Sequence, residues 1–260
     1  MKGFKQTDIG LIPEDWELKT LEDVAEQLKA GGTPRTTEAS YWNGNIPLVK
    51  VEDVVNANKL LSETNLYITQ TGIDNSSAYV LPANSLLFTM YGTAGEVAIN
   101  TIPVAPTQNV LGIIRSRDID ANFLYYALKF SKNTTLERIV DRTIFKHFTL
   151  AKAKKLFLTV PPLSEQIKIA HILSKIQQAI ETQEQIIKTT QELKKALMQK
   201  LFTEGLNGES QKQTEIGLIP ESWDLVSISD LGQVVTGTTP KTAEKKYYSP
   251  KEIDFIAPAD

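Results

Sequence analysis

The sequence contains no cysteine and only two histidines, His147 and His171. Disulfides and thiolate metal sites are therefore excluded, and a zinc site, which needs several Cys or His ligands, is not expected. The N-terminus, MKGFKQTDIGLIPEDW, lacks an apolar core of signal-peptide length, and no later apolar run is long enough to span a bilayer. We expect a cytoplasmic protein without a metal site or a membrane segment.

Motifs of nucleotide-dependent and DNA-modifying enzymes are also missing. No Gly-Lys dipeptide occurs, which excludes a P-loop, and no Gly-x-Gly-x-x-Gly opens a helix after a strand. The one Pro-Pro pair, Pro161-Pro162, is not the Asn-Pro-Pro-aromatic box with which adenine methyltransferases hold a flipped base. Glu165-x-x-Lys168 lacks the preceding Asp of a nuclease motif. The sequence therefore predicts a protein that is not an enzyme and needs no cofactor of its own.

The charge is nearly balanced, with 28 Lys and Arg against 31 Asp and Glu and a formal net charge of −3. Between Lys129 and Lys155, however, eight basic residues oppose two acidic ones, so this stretch carries a net charge of +6. Such a patch suits a surface that faces phosphates, and a solvated helix face explains it equally well. Within it we predict that Arg142, Lys146 and His147 contact backbone phosphates.

The longest regular feature runs from Pro161 to Glu204, with no proline or glycine between Pro162 and Gly205. Its apolar residues recur at gaps built from three and four, which places them on one face of a helix. These residues are Ile169, Leu173, Ile176, Ile180, Ile187, Leu197 and Leu201. We predict a helix with Ser164 as its N-cap and Gly205 as its C-cap, about 39 residues or roughly 58 Å long. An apolar seam of that length requires a partner helix.

The chain also repeats itself. Residues 5–24 and 212–231 are identical at twelve of twenty positions, and further matches join 31–36 to 238–242. A repeat separated by about 207 residues is far too long for a solenoid and indicates a duplicated domain. We therefore predict a first domain at 1–160, a helical region at 161–205, a linker at 206–211 and the start of a second domain at 212–260, where the second copy breaks off.

Residues 1–160 mix short strands and helices. Apolar runs predict strands at 46–51, 85–89, 97–100, 110–114 and 156–160. A short amphipathic helix is predicted at 17–28, before a Gly-Gly loop, and another helix follows Asn122 as its cap. The pattern predicts an α+β domain with a curved mixed β-sheet, followed by the long α-helix and the start of a second domain.

Polar side chains on loops that glycine and proline flank are well placed to reach DNA bases. Six such residues are Thr33, Arg35, Thr36, Tyr91, Thr93 and Gln108. The forked guanidinium of Arg35 fits a guanine edge or a phosphate, although a plain surface turn is the alternative at this loop. Gln108 could pair with adenine, and core packing explains Tyr91 nearly as well as DNA contact does.

The element PPLSEQIKIAHIL at 161–173, followed by a long helix that ends LKKALMQKLFTEG at 193–205, resembles the specificity subunit of type I restriction–modification enzymes. The repeated IGLIPEDW and IGLIPESW are similar to that family, as are GGTPRT…YWNGNIPLVKVEDV and VLPANSLLFTMYGTAGEVAIN…PTQNVLGII. The resemblance covers the whole chain. It implies two target recognition domains that alternate with two helical regions. In that arrangement the two helical regions pair as an antiparallel coiled coil, and the coiled coil holds the two domains on two DNA half-sites.

The resemblance also implies partners. Methyltransferase (modification) subunits, which use S-adenosylmethionine, dock on the helical regions, and restriction subunits join that complex on double-stranded DNA. Because one complete recognition domain and one helical region are present, we predict that the helix pairs with that of a second copy and that the homodimer reads a bipartite palindrome. The alternatives are a coiled-coil interaction protein without DNA binding and a standalone DNA methyltransferase or nuclease.

Overall fold

The computed structural model describes residues 3–131, 149–241 and 247. The strands are β1 (Phe4–Thr7), β2 (Gly10–Pro13), β3 (Glu17–Thr20), β4 (Ala25–Ala30), β5 (Trp42–Val49), β6 (Leu60–Leu61), β7 (Leu66–Ile68), β8 (Leu86–Thr89), β9 (Val97–Asn100), β10 (Ala105–Pro106), β11 (Val110–Arg115), β12 (Phe157–Val160), β13 (Gln211–Thr214) and β14 (Gly217–Pro220). The helices are α1 (Val51–Asn56), α2 (Gln70–Asp74), α3 (Ala121–Ser131), α4 (Leu150–Lys154), α5 (Leu163–Glu204) and α6 (Ile228–Leu231). The chain divides into two compact units, Met1–Gln183 and Glu184–Asp260.

The first unit is built on a five-stranded sheet in the order β4-β11-β8-β9-β6. Its pairs are antiparallel except that β6 runs parallel to β9, so the sheet is mixed. The central strands β8 and β9 are buried along their whole length. Alternation along β8 sends Leu86 and Phe88 into one apolar cluster and Leu87 into another. The prediction of an α+β fold with a curved mixed sheet is confirmed.

α3 covers the first of these clusters with Leu124, Tyr125 and Leu128. Its N-terminal cap is Asp120, whose carboxylate accepts the Phe123 N–H at 2.8 Å. The predicted cap, Asn122, already lies inside the helix. Beside this cluster, β12 pairs with β3 and brings the end of the domain next to its beginning.

The predicted helix at 17–28 is wrong, since strands β3 and β4 occupy this segment. Both the N–H and the hydroxyl of Thr20 donate to the Asp23 carboxylate, at 2.8 and 2.7 Å, and this turn interrupts any helix. The strands on either side pair with distant partners, β3 with β12 and β4 with β11. Tertiary pairing therefore overrides the local amphipathic pattern.

The predicted long helix is present as α5, a single helix of 42 residues. It begins at Leu163, and the N–H of Gln166 donates to the Pro162 carbonyl at 3.0 Å. Ser164 therefore lies within the first turn and is not the cap. At the other end Gly205 has φ +67°, the left-handed conformation that glycine adopts without penalty, and so forms the predicted C-terminal cap.

The sequence repeat is also a structural repeat. The β1–β2 and β13–β14 hairpins have the same antiparallel register, which pairs Thr7 with Gly10 and Thr214 with Gly217 at their turns. In each turn the threonine hydroxyl donates to the glycine carbonyl, at 2.7 and 2.8 Å. Both glycines have positive φ, +119° and +112°, which explains why each copy keeps a glycine there.

Candidate DNA interface

Three loops leave the same end of the five-stranded sheet. β4 and β8 end there, at Ala30 and Thr89, and β11 begins there, at Val110, because β11 runs antiparallel to both neighbours. The loops are 31–36, 90–96 and 107–109, and the N–H of Met90 donates to the Asn109 carbonyl at 2.9 Å. The sheet order therefore gathers all six loop residues predicted to contact DNA, which are Thr33, Arg35, Thr36, Tyr91, Thr93 and Gln108.

The base of the first loop is held by close backbone contacts. Gly31 donates its N–H to the Val110 carbonyl at 3.1 Å, and Gly32 donates to the Pro106 carbonyl at 3.0 Å. A Cβ atom on Gly31 would overlap the Pro106 carbonyl, and one on Gly32 would overlap the backbone at Ser77. The two glycines are therefore required because other chain segments approach this close.

A cleft of about 530 Å³ lies at this end of the sheet. Its lining residues are Thr33, Thr36, Trp42, Leu48, Lys50, Val51, Glu52, Leu66, Thr107, Gln108 and Asn109. Three of the predicted residues, Thr33, Thr36 and Gln108, share its wall, and the hydroxyl of Thr33 donates to the side-chain carbonyl of Gln108. The structure thus links two loops that are 75 residues apart in the sequence.

Other cleft residues were not predicted. Trp42 donates its indole N–H to the Arg35 carbonyl at 3.1 Å, which fixes the loop backbone while the Arg35 side chain is exposed. Lys50 is also exposed, and its N–H donates to the Asp53 carboxylate at 2.8 Å where α1 begins. A cation directly after a buried strand was the signal that could have revealed Lys50. With Glu52 in the same wall, the cleft offers groups for both acceptor and donor edges of bases.

Tyr91 and Thr93 lie on the loop between β8 and β9, beside the cleft and not in its wall. The Thr89 hydroxyl closes the base of this loop, since it donates to the Thr93 carbonyl at 2.6 Å and accepts the Glu96 N–H at 2.9 Å. Gly92, at φ +70°, forms the bend. Tyr91 is 37% exposed, so it is partly packed and partly accessible to a ligand.

The predicted phosphate-contacting residues of the basic stretch lie outside the described residues; they are Arg142, Lys146 and His147. Four lysines of the stretch lie in the described ranges, Lys129, Lys152, Lys154 and Lys155. Lys129 forms an ion pair with Glu96 at 2.7 Å, and Lys154 forms one with Glu22 at 2.7 Å. Part of the positive charge of this stretch is therefore balanced within the chain.

The first half of α5 has two distinct faces. One face packs on its own domain and is buried or half-buried; its residues are Gln166, Ala170, Ser174, Gln177 and Glu181. The predicted seam lies next to it: Ile169 is half-buried, and Leu173, Ile176 and Ile180 are 37%, 53% and 47% exposed. In the second half of the helix, the seam residues Ile187, Leu197 and Leu201 are 56%, 46% and 40% exposed. An exposed apolar row of this length is suited to a second helix.

Gln166 anchors the first turn of α5 to the domain. Its side chain is 2% exposed. The side-chain oxygen accepts the Asp120 N–H at 2.9 Å, and the amide nitrogen donates to the carbonyls of Asp118 and Pro161, at 3.2 and 3.0 Å. A buried amide with three partners fixes the direction in which the helix leaves the domain.

Lys59 of the domain makes a second contact with α5, at Ser174, two turns after Gln166. Its ammonium donates to the Ser174 hydroxyl at 2.8 Å and lies 4.8 Å from the centre of the Tyr126 ring. The neighbouring Tyr125 donates its hydroxyl to the Asn58 carbonyl at 2.8 Å. Burial raises the pKa of Tyr125 to about 12, so this phenol keeps its proton above the pH at which an exposed tyrosine ionises.

Among the described residues, no group of three or more His, Asp and Glu side chains is arranged to hold a metal ion. His171, the one histidine in the described ranges, is exposed on α5. Within the same ranges, no helix combines the length and the apolarity that crossing a membrane requires.

The sequence pattern of the type I restriction modification DNA specificity domain matches residues 13–192, more than half of the chain. The chain belongs to this family. The specificity-domain match begins in β2 and ends in α5, so it includes the loops, the cleft and the anchored part of the helix. The family resemblance drawn from the sequence motifs is confirmed.

Specificity subunits from an archaeon and a bacterium are similar to this chain. The type I restriction enzyme MjaIX specificity subunit of Methanocaldococcus jannaschii is 27% identical over 264 residues, which covers 97% of this chain and 60% of that protein. The EcoR124I/EcoR124II specificity subunit of Escherichia coli is 27% identical over 167 residues, covering 61% of this chain and 40% of that protein. The chain spans 55–60% of the length of three M. jannaschii specificity subunits that it matches.

Solved structures share the fold. The HsdS subunit from Thermoanaerobacter tengcongensis aligns with a TM-score of 0.53 and 17% identity, covering 78% of this chain and 48% of that chain. A chain from a structure on complex assembly and conformational transition of the type I R-M system aligns with a TM-score of 0.59 and 19% identity, covering 78% and 49%. At these identities the likeness establishes the fold.

Proposed function

We propose that this chain is a DNA sequence-recognition subunit of a type I restriction–modification system. It binds one half of a bipartite target and directs the methyltransferase and restriction subunits to that site. Membership of the specificity-domain family supports this role. The observation that carries it is the convergence of loops 31–36, 90–96 and 107–109 at one end of the sheet. Polar loops on a rigid scaffold are the usual means of reaching base edges.

The interface residues divide by chemistry. Arg35 and Lys50 supply positive charge for phosphates or guanine edges, and Glu52 can accept from the amino group of cytosine. The polar residues of the cleft and the neighbouring loop form the surface that lies against the bases: Thr33, Thr36, Tyr91, Thr93 and Gln108. The residues proposed to bind backbone phosphates are Arg142, Lys146 and His147.

In this proposal the chain recognises DNA and its partners perform the chemistry. Methyltransferase subunits bind S-adenosylmethionine and dock along α5, and restriction subunits join the complex. Methylation of DNA by the purified chain alone would contradict the proposal.

DNA binding is tested with the full chain co-expressed with its methyltransferase subunits, in a gel-shift titration at several salt concentrations. Arg35→Glu is expected to weaken binding about tenfold or more and to flatten the salt dependence, since it removes a phosphate contact and adds repulsion. Arg117→Glu is the matched control. Arg117 is exposed and follows β11 at the opposite end of the sheet, so the same charge change there is expected to leave affinity unchanged. Equal affinities for the two variants, or no DNA binding at all, would contradict the proposed interface.

We also propose that α5 pairs antiparallel with α5 of a second copy, which would give the complex a palindromic bipartite target. Light scattering of the full chain should then report a dimer. Ile180→Asp in the seam, 47% exposed, is expected to dissociate it. Ile167→Asp is the control, because Ile167 is 52% exposed on the far side of the helix. A stable monomer at micromolar concentration, or equal effects of the two substitutions, would contradict this pairing.

The target itself is found by methylome sequencing of cells with and without the chain. A motif that disappears with the chain and consists of two inverted half-sites would support both proposals. A single undivided motif would contradict the dimeric arrangement.

A further inference from the structure

Gln108 occupies the centre of a tightly held turn. The N–H of Thr107 donates to the Val49 carbonyl at 2.9 Å, and the N–H of Val110 closes the turn on the Thr107 carbonyl at 2.9 Å. The carbonyl of Asn109 accepts a further backbone bond from the loop after β8. Thr107 is buried, whereas Gln108 is exposed. The backbone therefore gives the exposed Gln108 side chain a fixed point of attachment.

The end of the Gln108 side chain is held as well. Thr33 lies between Gly32 and Pro34, which are both buried, and its hydroxyl donates to the Gln108 side-chain carbonyl. An exposed glutamine loses rotamer freedom when it binds a ligand, and one that is already oriented loses less. Such prior orientation strengthens a contact without adding a new one, which is an arrangement suited to recognition.

The bond from Thr33 also selects what Gln108 can offer to DNA. With the side-chain oxygen engaged, the two N–H groups of the amide are left for a ligand, and they have no acceptor among the described residues. In the major groove, guanine, adenine and thymine each present an acceptor, whereas cytosine presents only its amino donor. A donating amide therefore discriminates against cytosine.

We propose that Gln108 is a specificity-determining residue that donates to an acceptor on one base, and that Thr33 is the positioning residue that orients it. The proposal rests on the proposed function, because it assigns one contact within that interface. It refines the sequence-based prediction, in which Thr33 itself contacts DNA and Gln108 pairs with adenine. Thr33 now acts through Gln108, and the base selected is any except cytosine at one position of the half-site.

The test uses the full chain with its methyltransferase subunits and a library of duplexes with randomised target positions. Sequencing of the bound fraction gives the base preference at each position. Gln108→Ala is expected to reduce discrimination against cytosine at one position about fivefold or more. Thr33→Val removes the hydroxyl at nearly constant size and is expected to reduce it at the same position by a smaller factor. Gln108→Glu, which can only accept, is expected to shift that position toward cytosine.

A double-mutant cycle separates positioning from direct contact. In the Gln108→Ala background, Thr33→Val should not change the base preference at that position any further. Thr36→Val, in the same cleft, should change the base preference by the same factor with or without Gln108→Ala. The inference is overturned if Thr33→Val alters a different position, if its effect persists beside Gln108→Ala, or if Gln108→Ala changes no preference. A wild-type chain that selects no motif overturns the proposed function itself, so the two failures are distinguishable.

Discussion

Replacement of Gln166 by leucine tests how α5 is fixed to the recognition domain. Gln166 satisfies three backbone groups, namely the Asp120 N–H and the carbonyls of Asp118 and Pro161. Leucine has a similar volume but no polar atoms. The substitution therefore removes three hydrogen bonds without a large cavity or clash.

The expected loss follows from the burial of the three groups. Asp118 is exposed, so water can replace the lost donor there, whereas Pro161 is buried and Asp120 is half-buried. Each buried group left without a partner costs about 1–3 kcal/mol, and the burial of leucine offsets part of this cost. We therefore expect the free energy of unfolding to fall by about 2–4 kcal/mol. For a unit of this size, that loss lowers the Tm by roughly 4–16 °C.

The assay is thermal unfolding followed by calorimetry, with hydrogen exchange at the Asp120 amide as a local readout. Gln178→Leu is the matched control, because Gln178 lies on the same helix and is exposed. Gln166→Glu should be less stable than Gln166→Leu at neutral pH, since its carboxylate would face two carbonyl oxygens, and should recover as the pH falls and the carboxyl protonates. Indistinguishable Tm values for Gln166→Leu and Gln178→Leu would refute the reasoning.

Three further predictions concern other parts of the first unit. Gly31→Val should lower stability by about 1–3 kcal/mol and weaken DNA binding in a gel shift, because the new side chain would overlap the Pro106 carbonyl. Lys59→Met should lower the free energy of unfolding, measured in urea, by about 1–2 kcal/mol. Adding Ser174→Ala to Lys59→Met should lower it little further, since the two residues share one hydrogen bond. Burial raises the pKa of Tyr79 to about 12, so the native state keeps a proton that the unfolded state releases near pH 10. The stability due to this proton is complete below about pH 10 and falls as the pH rises toward about 12, and urea unfolding of Tyr79→Phe should show a smaller decline over that range.

Features with a local physical cause were predictable from the sequence. The spacing of apolar residues in 163–204 and the glycine that follows them specify a long helix with one apolar face. Buried strands such as β8 and β9 follow from apolar runs between turn residues. The same logic failed at 17–28, where the amphipathic pattern suited a helix but strand pairing with β11 and β12 was stronger than the local preference.

The sequence by itself determined the α5 helix, its apolar seam, the repeat of 5–24 at 212–231 and the family, because each depends on residues close together in the chain or on motifs. Only the tertiary structure decided how the strands and loops of the first unit meet. The order β4-β11-β8 brings loops 31–36, 90–96 and 107–109 to one edge, and no local pattern specifies that order. The pairing of Thr33 with Gln108, the cleft beside Lys50 and the burial of Gln166 all follow from it or from long-range packing. Contacts between residues distant in sequence depend on how the whole chain buries its apolar surface, so they become visible only in the folded structure.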